Sequence, residues 1–169
     1  VYGESLWMTG AASAQLAELL GPADSCCGAG NNDAVAGVGA GGCGKCIRVR
    51  NPSSLSPELT AVVMKKNFCP AGANPSCDLP KVHMDLAVPG FDYLSASASN
   101  ICGASGTFIT QAESSTCGDW FTRASNVRDG CDCSTLPDTT PAGALLRSGC
   151  ELFRAWGWTS GNPALEYQV

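Results

Sequence analysis

The residue types able to move a proton are concentrated in one short stretch, Val82-His83-Met84-Asp85-Leu86-Ala87-Val88. Apolar and other residues alternate there. On a strand, Val82, Met84, Leu86 and Val88 face one side, while His83, Asp85 and Ala87 face the other. The first set reads as core. The second set puts the chain's one histidine beside a carboxylate two residues on. A partly enclosed aspartate with few counter-charges has its pKa raised, which suits a general acid. The plainer alternative is a polar strand face that meets water. Seven positions earlier, Asp78 lies in Cys77-Asp78-Leu79-Pro80. Two carboxylates so separated can meet across a loop-to-strand turn and hold their titrations apart. A turn aspartate capping Leu79 or Pro80 needs no chemistry at all.

Other candidates are weaker. Trp7, Trp120, Trp156 and Trp158 offer flat apolar faces of the kind that stack on sugar rings. The spacing of Trp156 and Trp158 puts both on one strand face, where core packing is the better account of at least one. There is no Gly-x-Ser-x-Gly elbow, and no spacing pairs a Ser or Cys nucleophile with His83. Gly39 to Gly44 is glycine-rich but lacks the Lys-Ser/Thr of a phosphate loop. Nothing in the pattern asks for a metal or another cofactor.

Composition narrows the setting. The 169 residues fit one domain, residues 1–169, with room for an apolar core. Twenty glycines and ten prolines with only 15% charged residues point to a loop-rich chain. The net charge of −5, with no basic run longer than Lys65-Lys66, argues against a nucleic-acid partner. No apolar stretch approaches membrane-spanning length. Eleven cysteines beside a single histidine favour a disulfide framework and a secreted chain. Cys43-x-x-Cys46 with Cys131-x-Cys133 gives a zinc site a foothold, but the adjacent Cys26-Cys27 and the scatter of the rest fit disulfides better. The odd count implies five bridges and one thiol. The lack of an N-terminal charged-then-apolar segment leads us to expect a mature secreted chain.

The elements that must position these residues follow from periodicity. Ala11 to Leu20 reads as a helix stopped by Gly21-Pro22. Strands are expected within residues 1–8, over Cys46–Arg50, Leu59–Met64, Val82–Val88, Thr107–Thr110, Leu145–Trp156 and Ala164–Val169. Ser134 to Gly143 reads as a long surface loop. Six or seven short strands and about one helix make an all-β domain, a small barrel or a sandwich.

Three segments carry a resemblance. They are Gly42-Cys43-Gly44-Lys45-Cys46-Ile47-Arg48-Val49; Asp78-Leu79 with His83-Met84-Asp85-Leu86 and Pro89-Gly90; and Gly149-Cys150 with Trp156, Asn162-Pro163 and Tyr167-Gln168-Val169. Together they cover roughly 45 residues. The chain resembles glycoside hydrolase family forty-five, small secreted endoglucanases related to the expansin N-terminal domain. The resemblance implies a six-stranded double-psi β-barrel with long disulfide-tied loops and one or two short helices. It makes Asp85 the general acid, His83 its neighbour on the cleft face, and Asp78 an assisting carboxylate.

The family's N-terminal strand runs Tyr-Trp-Asp-Cys-Cys, and its Asp is the general base. Here the chain begins Val1-Tyr2-Gly3-Glu4-Ser5. If Tyr2 takes the family tyrosine's place, Glu4 falls where the base belongs, but Tyr2-Gly3 equally matches an expansin, which lacks the base. Asp24 and Asp33 are the other acidic residues in that region. Two readings follow. One is an inverting endo-β-1,4-glucanase, a secreted monomer acting on cellulose or a related β-glucan, with His83, Tyr2, Trp7 and Trp120 binding substrate. The other is an expansin-like, non-hydrolytic polysaccharide binder.

Overall fold

A computed structural model describes residues 6–22, 41–72, 74–88, 114–136 and 138–169. Alternation decides the first strand, β1 (Leu6–Ala12), in which Leu6, Met8, Gly10 and Ala12 are buried. Ser13 then caps α1 (Ala14–Leu20), accepting the Leu16 N–H on its hydroxyl, and the helix buries Leu16, Ala17 and Leu20 before stopping at Gly21. β2 (Cys46–Arg50) buries Ile47 and Val49 and turns Arg48 and Arg50 outward. β3 (Thr60–Phe68) follows, then a 3₁₀ turn at Pro75–Cys77 and the short β4 (Met84–Leu86). The C-terminal part holds α2 (Ser114–Cys117), α3 (Trp120–Arg123), α4 (Val127–Gly130), a 3₁₀ turn at Cys133–Thr135, α5 (Pro141–Trp156) and β5 (Glu166–Gln168).

The strands form one sheet in the order β4-β1-β3-β2-β5, curled into a half-barrel. β1 and β3 pair in parallel, which requires a long crossover, and α1 lies within it. The other pairings are antiparallel. The sheet's buried face meets α5 and the aromatic cluster Trp120, Phe153, Trp156 and Trp158 in one continuous core with Met8, Ile47, Val49 and Val63. Each large apolar side chain removed from water there contributes about 1.5–3 kcal/mol.

Among the described residues, Cys69–Cys77 closes a loop, Cys117–Cys131 ties α2 to the end of α4, and Cys133–Cys150 ties the second 3₁₀ turn to α5. Cys43 is disulfide-bonded too, and among the described residues Cys46 is the free thiol. Cysteines 43, 131 and 133 are therefore not thiolate ligands for zinc. Lys65, read in sequence as half of a basic run, is fully buried and donates from Nζ to the Gly41 carbonyl at 2.8 Å. Among the described residues no helix is long and apolar enough to cross a membrane.

Two expectations about the elements are corrected. Leu145–Trp156 is not a strand but the greater part of α5. Thr140 caps that helix by accepting the Gly143 N–H at 3.1 Å, Pro141 occupies its first turn, and Gly157 closes it in the left-handed region at φ 71°. Leu146, Cys150, Phe153 and Trp156 recur at helical spacing and face inward. The helix also begins inside the expected Ser134–Gly143 loop. The second correction concerns the helix count: five α-helices are described where one or two were expected. The described residues supply five strands rather than six, and the Thr107–Thr110 strand lies outside them.

Candidate functional site

β4 is laid against the end of β1, with Leu86 opposite Gly10, Asp85 opposite Ala11 and Met84 opposite Ala12. Glycine is what allows this approach: a Cβ on Gly10 would lie 2.7 Å from the Asp85 carbonyl oxygen and from Met84 Cγ. The ladder continues past both ends of β4. Ser13 N–H donates to the His83 carbonyl at 2.9 Å, His83 N–H donates to Ser13 Oγ at 3.1 Å, and Ala87 N–H donates to the Thr9 carbonyl at 2.9 Å. Met84, Leu86 and Val88 pack against the core, as the alternation predicted, whereas Val82 is exposed.

On the other side, His83 Nε2 lies 2.9 Å from Asp85 Oδ1. Asn74 Nδ2 donates to the same oxygen at 3.3 Å. With Asp85 ionised, the bond to His83 needs the ring proton on Nε2. Oδ2 makes no hydrogen bond among the described residues. The Asp85 side chain is 48% exposed, against 19% for His83, so the carboxylate is open to solvent, in keeping with the alternative of a polar strand face that meets water.

Asn74 is held for this task by its own turn. Its Oδ1 accepts the Ser76 N–H at 3.0 Å, capping the 3₁₀ turn and leaving Nδ2 for Asp85. The Cys69–Cys77 disulfide closes the loop, with its sulfurs and an Asp85 oxygen all within 4.8 Å of one another. Sulfurs bonded to each other offer no thiolate, so this trio is not a metal site.

Asp85, His83 and Asn74 line a cleft of about 1090 Å³. Its walls include the β2 residues Ile47 and Val49, the segment Ser160–Leu165, and Tyr167 on β5. Two exposed rings border it, Phe121 at 48% and Tyr167 at 43%. Phe121 lies edge-on to Trp120, with ring centroids 6.0 Å apart.

The expected residues divide. Asp85 and His83 are brought together. Asp78 turns Oδ1 to the Gly72 N–H at 2.8 Å and is not one of the cleft-lining residues. Trp120 reaches the cleft wall, but at 3% exposure its ring is packed in the core and offers no open face for a sugar. Trp7 is exposed, lies on the strand face opposite the buried β1 residues, and does not line the cleft. Trp156 and Trp158 are both buried against each other, 5.3 Å apart. Tyr2, Glu4, Asp24 and Asp33 lie outside the described residues.

Sequence reasoning missed Asn74, Ser13 and Phe121. Asn74-Pro75 carries an Asx-turn signal, and Ser13 stands at the cap position before an alanine- and leucine-rich run, so both were visible as local structure. Their link to the histidine–aspartate pair is a tertiary fact with no local signature. No protein-family model matches the chain, and no curated protein matches it.

Proposed function

We propose that the chain is a secreted, inverting endo-β-1,4-glucanase of the kind its sequence resembles, on a six-stranded double-psi barrel. The observation that carries this reading is the Asp85 carboxylate, fixed at Oδ1 by His83 and Asn74 and bordering a cleft of about 1090 Å³. Asp85 protonates the leaving glycosidic oxygen from Oδ2. His83 and Asn74 keep the carboxylate oriented through the other oxygen. Phe121 and Tyr167 supply the flat apolar surfaces that glucose rings stack on. The curled sheet supports the barrel, and the disulfides support secretion.

An inverting site needs a second carboxylate, about 6.5–9.5 Å from the acid, to activate water. Glu4 is the residue proposed for that role, with Asp24 and Asp33 as alternatives and Asp78 as an assisting charge.

One observation favours the second reading, an expansin-like binder without hydrolysis. Among the described residues lining the cleft, Asp85 is the one carboxylate. Reducing-end release from soluble β-glucan separates the two. The enzyme reading expects release by the parent and a loss in Glu4→Gln comparable to that of the acid variant. The binder reading expects both proteins to retain glucan on a pull-down and release nothing. Release by the parent with full activity in Glu4→Gln would move the base to Asp24 or Asp33.

A further inference from the structure

Besides the Ala17 N–H that its carbonyl accepts at 2.9 Å as a bond of α1, four hydrogen bonds converge on Ser13, a fully buried residue that does not line the cleft. Its Oγ donates to the Lys81 carbonyl at 2.9 Å and accepts the N–H groups of His83 at 3.1 Å and Leu16 at 3.3 Å. Its own N–H donates to the His83 carbonyl at 2.9 Å. A hydroxyl has one proton and two lone pairs, so this one is fully used.

Capping α1 needs only the bond from Leu16. The other three contacts go to the chain entering β4, over residues 81–83, which has no regular structure of its own. Side-chain packing does little to hold the start of that stretch, where Lys81 and Val82 are both exposed; the His83 side chain, by contrast, is mostly covered. Lys81 is tied back by its own N–H to the Asp78 carbonyl at 2.9 Å and by Nζ to the Pro75 carbonyl at 2.6 Å, and Ser13 holds the rest. It holds the His83 backbone through both its N–H and its carbonyl, and it fixes the carbonyl two residues before.

We infer that Ser13 is a positioning residue of the histidine–aspartate pair, setting through the backbone of residues 81–83 where the His83 ring meets Asp85. Its effect on turnover rests on the glucanase reading; its effect on the ring does not.

Three variants test this. Ser13→Ala and Ser13→Gly both delete the hydroxyl, and glycine is a tolerated helix cap that keeps α1 started. Ser13→Thr keeps the hydroxyl. His83 is the chain's only histidine, so its ring-proton resonances report on the pair without any substrate. At fixed pH those resonances should move in the Ala and Gly variants and return toward the parent's in Thr. On soluble β-glucan, kcat should fall roughly 10- to 100-fold in Ala and Gly with KM little changed, because a small misplacement of a reacting group carries losses of that order. Ser13→Thr should recover most of it.

Folded Ala and Gly variants with parental ring resonances overturn the inference. So does loss of the fold in both, which would make the hydroxyl a requirement of the fold rather than of the site. A parent that releases no sugar contradicts the glucanase reading alone, and the ring resonances still decide the role of Ser13.

Discussion

The His83 imidazole reaches Asp85 Oδ1 at 2.9 Å across a single intervening residue, Met84, whose side chain packs into the core. Met84 and both its neighbours border the cleft, Met84 from the core side and His83 and Asp85 as a hydrogen-bonded pair. The pair is asymmetric, with the histidine mostly covered and the carboxylate half exposed. Under the proposed function, orientation comes from the covered partner and contact with the glucan falls to the exposed one.

Asn74 shares the same oxygen, which gives the first prediction. Its bond is long at 3.3 Å and exposed, so its net worth lies near the ordinary 0.5–1.5 kcal/mol. Asn74→Ala should therefore lower kcat on soluble β-glucan by roughly 2- to 13-fold. Circular dichroism should show the fold retained. A loss as large as that from removing Asp85 itself would mean that Asn74 does more than orient the carboxylate.

Phe121 gives a prediction about chain length. Its side chain is about half exposed on the cleft border, and its ring rests edge-on against buried Trp120. Phe121→Ala should weaken binding of long cello-oligosaccharides by about 0.5–1.5 kcal/mol, the scale of an aromatic stacking contact. Short oligosaccharides that do not reach the ring should bind as before. Calorimetric titration across a length series checks this, and a loss independent of length would contradict it.

The elements positioning the histidine–aspartate pair are partly legible in the residues alone. Strict alternation in residues 82–88 determines which side chains share a face, because a strand has period two whatever it packs against. Cys46–Arg50 is legible for the same reason. Leu145–Trp156 misleads: it carries a helical spacing in Leu146, Cys150, Phe153 and Trp156, but the cap signals that mark it as a helix lie outside it, at Thr140-Pro141 and Gly157. Trp120 misleads differently: an aromatic residue's type is the same whether it lines a groove or fills a core. The contacts of Ser13 and Asn74 join residues up to 70 positions apart, a separation that no local pattern encodes.

Cys46 supplies a prediction about the thiol chemistry. The residue is exposed on β2, yet the sheet around its sulfur desolvates it and pushes the thiol up, with the Lys66 ammonium offsetting part of the effect. Desolvation favours the neutral form, so less thiolate is present at a given pH. Under non-reducing conditions iodoacetamide should modify Cys46, with a rate that rises only above the ordinary thiol midpoint of about 8.5. Mass spectrometry of the labelled peptide across pH 7 to about 10 gives the profile. A midpoint at or below the ordinary value would contradict this account of its surroundings.

The role of Asp85 as proton donor is tested most directly by Asp85→Asn, which keeps the shape of the side chain and removes the acid. The measurement is the initial rate of reducing-end release from soluble β-glucan, parent against variant, with both confirmed folded. The account predicts release by the parent and a loss of at least about a hundredfold in the variant, the lower end of what a positioned acid contributes. A folded Asp85→Asn protein that hydrolyses the glucan at the parental rate would contradict it.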